Sequence, residues 1–164
     1  SLIIQVGVAG SFDKKIPLGK VFAIKDDFAG DIGVYEKKTW KDLFDLKLDQ
    51  ANDAPYEKKS LPNPFLNQFN LLKLPTKKAV TVNTISTTKA AIDLYSGRYK
   101  ASLESMEGAA LHYMGRDLHI PFIQLRAVSN YVGERDKSKW KMRDAIYNLN
   151  ETLLQYLDAL HKIA

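Results

Sequence analysis

The stretch LIIQVGVAG, residues 2–10, decides the fold of this 164-residue chain. It is short, apolar and rich in β-branched side chains, as a strand buried on both faces of a parallel sheet must be. Glycines at positions 7 and 10 predict a tight turn directly after the strand. The first ten residues therefore favour an α/β fold.

Three further strands are predicted outward from this stretch, at residues 20–27, 79–84 and 121–128. Four of the six prolines fall between residues 35 and 75, and prolines interrupt helices and strands alike. We interpret this region as an excursion of loops and short helices within one domain rather than as a domain boundary.

Helices are predicted between the strands. Ser and Thr residues suit a cap for a helix over residues 86–95, which Gly97 ends, and Ser105 suits a cap for a helix over residues 105–113. A long amphipathic helix is predicted from apolar residues at spacings of three and four: Met142, Ile146, Leu149, Leu153, Tyr156, Leu160 and Ile163. Alternating strands and helices indicate a layered α/β domain that binds ligands where its strands end, at residues 7–11, 83–88 and 129–135.

Composition excludes several classes of site. The chain has no cysteine, which excludes disulfides, thiolate nucleophiles and cysteine-ligated metals. His112, His119 and His161 lie too far apart in sequence for a local metal site, so neither a metal nor a cofactor is expected.

The charge pattern and hydropathy also limit the partners. The formal charge is +5, and its densest stretch, KSKWKMR at residues 137–143, has the composition of a solvated helix face. No apolar run is long enough to span a bilayer. We expect a cytoplasmic protein that binds neither nucleic acid nor membrane.

Two motifs carry a resemblance to a known family. ESMEGAA at residues 104–110, followed by IPFIQLRAVSN at residues 120–130, resembles the paired signature of nucleoside phosphorylases and methylthioadenosine nucleosidases. YVGERDKSKW at residues 131–140 is similar to futalosine hydrolases in particular, and GVAG at residues 7–10 fits the family's order and spacing.

The resemblance implies a three-layer fold of the nucleoside-phosphorylase type, with a central, mostly parallel but mixed sheet flanked by helices. It implies one such domain over residues 1–164, whose first strand and loop we expect upstream of Ser1. An acidic residue that positions the attacking water is expected on that upstream segment. The resemblance also implies a homodimer or larger homo-oligomer.

Glu107 and Met106 are the residues that the resemblance assigns to the ribose. Glu107 would accept hydrogen bonds from the 2′ and 3′ hydroxyls while Met106 packs against the sugar. A carboxylate is a charge-assisted acceptor whose hold strengthens as positive charge develops on the sugar. The alternative is that Glu107 merely complements a helix N-terminus.

Asn130 is the residue that the resemblance assigns to the leaving base. A 6-oxopurine protonated at N7 presents a donor beside the O6 acceptor, and an Asn amide offers one acceptor and one donor. Adenine presents two donors and would call for the two acceptor oxygens of an Asp. The alternative is an asparagine that only caps the end of a strand.

Other positions complete the predicted site. Ala9, Gly10, Ser105 and Ser129 are expected to contact the substrate. Thr87 and Thr88 are candidates for contacting the base.

Glu134 and Asp136 are placed in a loop that closes over the site. The related phosphorylases bind phosphate with an arginine and a hydroxyl side chain, where this chain has Gln5 and Val8. Because neither side chain can supply charge-assisted bonds to phosphate, water is the expected nucleophile.

The resulting functional hypothesis is hydrolysis of the N-glycosidic bond of a 6-oxopurine nucleoside. The resemblance points to futalosine, cleaved to hypoxanthine and dehypoxanthine futalosine in menaquinone biosynthesis. Two alternatives stay open at this point: a methylthioadenosine or adenosylhomocysteine nucleosidase, and a nucleoside-binding protein without turnover.

Overall fold

The computed structural model describes residues 1–163. The strands are β1 (Ile3–Ser11), β2 (Val21–Ala29), β3 (Gly33–Glu36), β4 (Thr39–Asp42), β5 (Leu61–Pro62), β6 (Thr76–Thr81), β7 (Leu103–Ser105) and β8 (Phe122–Tyr131). The α-helices are α1 (Leu66–Phe69), α2 (Lys89–Asp93), α3 (Gly108–Asp117) and α4 (Met142–His161). A π-helical turn covers Leu94–Arg98, and a 3-10 turn covers Lys137–Lys139.

Six strands form one mixed sheet in the order β5-β2-β6-β7-β1-β8. The ladders β1–β8, β2–β6 and β6–β7 are parallel, and the two longest ladders of the sheet are among them. An antiparallel pairing of β2 with β8 closes the sheet on itself, while β7 pairs with β1 only at Gly10 and Ser11. The predicted mixed sheet flanked by helices is confirmed, and its closure brings the ends of β1, β7 and β8 together.

Two apolar clusters lie on the two faces of this sheet. Inside the closed part, Ala9, Phe22, Ile24, Leu103 and Val128 pack together. Outside it, Ala145, Leu149 and Tyr156 of α4 cover Val21, Ala23, Ile123, Leu125 and Ala127.

The predicted long amphipathic helix is confirmed in α4. Tyr156 is fully buried, and its hydroxyl donates a hydrogen bond to the carbonyl of Phe69 over 2.7 Å. Ile146 and Ile163 were predicted in the apolar stripe, but both are exposed. Ile163 lies beyond the end of α4 at His161, and Ile146 lies outside the narrower face that contacts the sheet.

The predicted turn at residues 7–10 is wrong. Strand β1 continues through both glycines to Ser11, because β8 pairs with it along its whole length. A side chain at position 7 would collide with Arg126, since a Cβ there would lie 2.2 Å from Nη1 of Arg126. Gly7 therefore makes room for a buried guanidinium and does not bend the chain.

The start of the predicted helix at Ser105 is also wrong. Ser105 ends β7, a three-residue strand that was not predicted, and α3 begins only at Gly108. Glu107 occupies the N-cap position of α3, but its side chain makes no capping hydrogen bond. The Glu107 carboxylate is therefore free to contact a group other than the backbone of α3.

The predicted Ser or Thr cap of the helix after β6 is confirmed at Thr88, whose hydroxyl accepts a hydrogen bond from the amide of Ala91. Two other features differ from the prediction. Gly97 lies inside the π-helical turn instead of ending the helix. The excursion over residues 35–75 contains an antiparallel hairpin of β3 and β4 in addition to its loops and its short helix α1.

Candidate active site

A cavity of about 230 Å³ opens where β1, β7 and β8 end. Seven of the nine residues predicted to bind substrate or to catalyse line this cavity: Ala9, Gly10, Ser105, Met106, Glu107, Ser129 and Asn130. A second cavity of about 360 Å³ shares Met106 and Glu107 with the first. Its walls include Ile32, Tyr56 and Tyr113, so it is largely apolar.

The two remaining candidates, Thr87 and Thr88, do not line the cavity. Both are exposed, and the hydroxyl of Thr88 is used in the cap of α2. Their place beside the cavity is taken by Ile85 and Ser86, one to three residues earlier in the same loop. Asp136 also lies away from the cavity, where it caps the 3-10 turn through Ser138.

A buried arginine holds the Glu107 side chain in position. One carboxylate oxygen of Glu107 accepts a hydrogen bond from Nη1 of Arg126 over 2.9 Å. The Glu107 side chain is 62% exposed, whereas that of Arg126 is 3% exposed. The carboxylate is therefore held in position while most of its surface still faces the cavities.

A polar network lies beneath Arg126, inside the protein. The Gln124 amide oxygen accepts from Nε of Arg126 over 2.9 Å, and its nitrogen donates to Nε2 of His112 over 2.8 Å and to Oδ2 of Asp27 over 3.2 Å. These partners assign the orientation of the amide. They also require a neutral His112 whose Nδ1 donates to the carbonyl of Leu61, 2.6 Å away.

Burial sets the protonation of this network. Desolvation lowers the pKa of His112 to about 4, so its ring is neutral at pH 7 and Nε2 can accept. Desolvation also raises the pKa of Asp27 to about 7, against the opposing effects of the Thr81 hydroxyl and of the Arg126 charge. Arg126 thus contacts one exposed carboxylate, that of Glu107, directly and is linked to the buried carboxyl group of Asp27 through Gln124.

Asn130 lies within β8 rather than after it. A bulge in the β1–β8 ladder places Gly10, and not Ser11, opposite Asn130. The side-chain oxygen of Asn130 accepts from the Ser129 hydroxyl over 2.8 Å, and its nitrogen donates to the carbonyl of Tyr131 over 3.1 Å. The bulge and these two bonds fix the amide on the wall of the cavity.

Glu104 is a second acidic residue of the cavity, and it was not predicted. It is 7% exposed, and its carboxylate accepts from the backbone amide of Ser86 over 3.1 Å and from the Ser86 hydroxyl. Desolvation raises its pKa, and the two bonds from Ser86 oppose that effect. The available signal in the sequence was its position in the motif ESMEGAA, three residues before Glu107.

The segment after β8 folds over the cavity. Glu134, Arg135 and Trp140 line it, as the predicted closing loop requires of Glu134. The Trp140 indole donates to the carbonyl of Glu134 over 3.0 Å, and the Arg135 guanidinium lies 5.9 Å from the Trp140 ring centre.

Gln5 and Val8, the two positions at which we predicted no phosphate binding, serve other contacts in this chain. The Gln5 side chain accepts from Nη2 of Arg126 over 3.2 Å and donates to the backbone carbonyl of Glu107 over 3.3 Å. Val8 presents an apolar side chain to the cavity. Gln5 thus supports the Glu107–Arg126 pair, and neither position offers a cation to an anion.

Residues 1–163 contain no group of three or more His, Cys, Asp or Glu side chains that could hold a metal ion. Within the same residues, no helix combines the length and the apolar character needed to cross a membrane.

Comparisons with known proteins show what the chain as a whole is similar to. The family model of the phosphorylase superfamily matches residues 1–161. A futalosine hydrolase of Streptomyces coelicolor is 25% identical over 93% of this chain and 63% of its own length. A futalosine hydrolase of Thermus thermophilus is 29% identical over 92% of this chain and 67% of its own length. The chain thus spans a little under two thirds of the Streptomyces relative.

Among solved structures, a futalosine hydrolase mutant of Helicobacter pylori superposes with a TM-score of 0.68 at 17% identity, covering 98% of this chain and 68% of that one. At this identity the likeness establishes the shared fold.

Proposed function

We propose, from the premise that this chain belongs to the phosphorylase superfamily, that it hydrolyses the N-glycosidic bond of a 6-oxopurine nucleoside. Futalosine is the proposed substrate, and hypoxanthine and dehypoxanthine futalosine are the products. The similarity to futalosine hydrolases over more than nine tenths of the chain supports this choice.

One observation carries the proposal: Glu107 and Asn130, which the motifs pair in sequence, line the same cavity. Glu107 accepts hydrogen bonds from the ribose hydroxyls. As the glycosidic bond breaks, positive charge develops on the sugar, and the fixed carboxylate stabilises it in the transition state. Arg126 holds that carboxylate in place, because its guanidinium donates a hydrogen bond to it over 2.9 Å.

Asn130 binds the leaving base. Its amide accepts from N7–H and donates to O6 of the departing 6-oxopurine, which stabilises the base as it leaves. The 6-amino group of adenine would face the amide nitrogen instead and leave a polar group unpaired, at a cost of about 1–3 kcal/mol. The second cavity, which shares Met106 and Glu107 with the first, gives room for a substituent on the sugar.

Water is the proposed nucleophile. A phosphate dianion needs charged donors beside C1′ of the sugar, and Gln5 and Val8 stand at the positions from which related phosphorylases supply its ligands. The side chain of Gln5 is already engaged with Arg126 and Glu107.

A comparison of substrates in phosphate-free buffer tests the proposal. Purified protein is incubated separately with futalosine, inosine and methylthioadenosine, and the free bases are separated by chromatography. We expect hypoxanthine to be released with a higher kcat/KM than adenine. A higher kcat/KM for adenine release would instead identify a methylthioadenosine nucleosidase, and tight binding of hypoxanthine without release from any nucleoside would identify a binding protein.

A further inference from the structure

Three residues on adjacent strands form a row across the floor of the cavity. Gly10 of β1 pairs with Glu104 of β7 on one side and with Asn130 of β8 on the other. Laterally paired residues of a sheet point to the same face, and all three residues line the cavity. With strands about 4.8 Å apart, the Cα atoms of Glu104 and Asn130 are separated by about 10 Å.

Gly10 keeps the middle of this row open. A Cβ at position 10 would lie 3.0 Å from a methyl group of Val132 and 3.4 Å from the Asn130 amide nitrogen. Any larger side chain would fill the space between the two polar groups. A flat ring that lies over Gly10 can therefore meet Asn130 with one edge and Glu104 with another.

Glu104 has acceptor capacity to spare. An ionised carboxylate offers about four acceptor sites, and the two bonds from Ser86 use two of them. No Lys, Arg or His among residues 1–163 forms an ion pair with it. A buried carboxylate held only by neutral donors is costly unless a ligand supplies a further donor.

We propose that Glu104 is a specificity-determining residue that accepts the N1–H of the 6-oxopurine, while Asn130 binds N7 and O6 of the same base. This inference rests on the proposed function. The two residues contact adjacent edges of one purine ring, and both favour a 6-oxopurine over a 6-aminopurine. Hypoxanthine and guanine carry a hydrogen at N1, whereas N1 of adenine is an acceptor and brings no hydrogen to an acceptor oxygen of Glu104.

Calorimetric titration of the purified protein with hypoxanthine and with adenine tests the proposal. The wild type binds hypoxanthine more tightly, and Glu104→Gln is expected to reduce the ratio of the two affinities about tenfold or more. The amide of Gln can turn to donate to N1 of adenine, and it retains an acceptor for Ser86. Glu151→Gln, an exposed change on α4, is the matched control and should leave the ratio unchanged. A ratio within about twofold of wild type in a folded Glu104→Gln protein would overturn the assignment.

A second measurement needs no variant. In 1-methylhypoxanthine, a methyl group replaces the hydrogen on N1 while the 6-oxo group and N7 are retained, so the wild type should bind it more weakly than hypoxanthine by about tenfold or more. Equal affinities would overturn the role of Glu104 but leave the proposed function standing, provided that nucleosides are still hydrolysed. If the wild type neither binds these bases nor cleaves any purine nucleoside, the proposed function fails, and the inference fails with it.

Discussion

Carboxylates in two regions of this molecule differ in how many cations they contact. In the cation cluster, which comprises Asp42, Asp45, Lys59 and Arg98, each carboxylate contacts both cations. Lys59 lies 3.0 Å from Asp42 and 2.7 Å from Asp45, and Arg98 lies 2.9 Å from Asp42 and also contacts Asp45. These pairs tie the β3–β4 hairpin to the π-helical turn and to the loop before β5, so their charges serve the fold.

The site carboxylates, Asp27, Glu104 and Glu107, have one cation between them. Arg126 contacts Glu107 directly and reaches Asp27 through Gln124. Glu104 accepts hydrogen bonds from Ser86. Carboxylates short of partners are unfavourable for the folded state alone, and such groups concentrate where a ligand completes them. The difference is that cations hold the carboxylates of the cation cluster, whereas neutral hydrogen-bond donors hold Asp27 and Glu104.

The largest expected effect is a difference in how the two regions depend on pH. Burial raises the pKa of Asp27 to about 7, above its unfolded value. Its contribution to stability is therefore complete below about pH 4 and is lost as the pH rises through about 7, a change of about 4 kcal/mol. Denaturant unfolding at several pH values should show wild type losing stability relative to Asp27→Asn over this range.

Asp45 should behave in the opposite sense. Lys59, followed by Arg98, holds the pKa of this carboxyl well below its usual range. The contribution of this carboxylate to the free energy of unfolding is present above about pH 4 and is lost as the pH falls further. Wild type should therefore lose stability relative to Asp45→Asn only in acid. Parallel pH profiles for Asp27→Asn and Asp45→Asn would erase the contrast between the two regions.

Glu107→Gln is the next largest change, and its effect should fall on catalysis. Loss of the negative charge beside the sugar is expected to lower kcat/KM for nucleoside hydrolysis about 10²–10³-fold. The free energy of unfolding should change by less than about 2 kcal/mol, because the side chain is 62% exposed. Steady-state kinetics and urea unfolding measure the two effects separately. Retention of wild-type kcat/KM would remove Glu107 from the mechanism.

Asp42→Asn should have the reverse profile. The Asp42 side chain is 2% exposed, and its loss leaves Lys59 and Arg98 with one carboxylate, which should lower the free energy of unfolding by about 3 kcal/mol. The kcat/KM of the folded protein should not change. Glu36→Gln breaks the exposed pair with Lys41 and serves as the control, with an expected loss below about 1 kcal/mol. Equal losses in the two variants would show that the cation cluster adds no stability.

Asn130→Asp should have the smallest effect, and it concerns which base leaves. Two acceptor oxygens suit the N7–H and N6 amine of adenine, so the preference should shift from 6-oxopurine toward 6-aminopurine nucleosides by about 10–100-fold. The measurement is the ratio of kcat/KM values for inosine and adenosine in both proteins. Unchanged relative rates would contradict the hydrogen-bond argument.

Local patterns were sufficient to predict much of the fold. The apolar runs gave the long strands β1, β2 and β8, and the spacing of three and four gave α4. The motifs placed Glu107 and Asn130 at one cavity. Strand β7 was missed because its last residue, Ser105, together with Glu107 two positions later, resembles the start of a capped helix.

Contacts between distant segments could not be predicted in this way. The row of Glu104, Gly10 and Asn130 depends on the register of three strands and on one bulge. Gly7 resembled a turn residue until the position of Arg126 was known. Polar residues inside the apolar run 122–128, namely Gln124 and Arg126, were the available signal that a buried network supports the site.

The proposal that this chain hydrolyses futalosine is tested most directly by following the reaction in phosphate-free buffer made with H₂¹⁸O. Purified protein is incubated with futalosine, hypoxanthine is measured by chromatography, and the sugar product is analysed by mass spectrometry. The proposed mechanism predicts free hypoxanthine together with one solvent oxygen in the sugar product. Absence of hypoxanthine, or its release only when phosphate is added with formation of a sugar 1-phosphate, would contradict it.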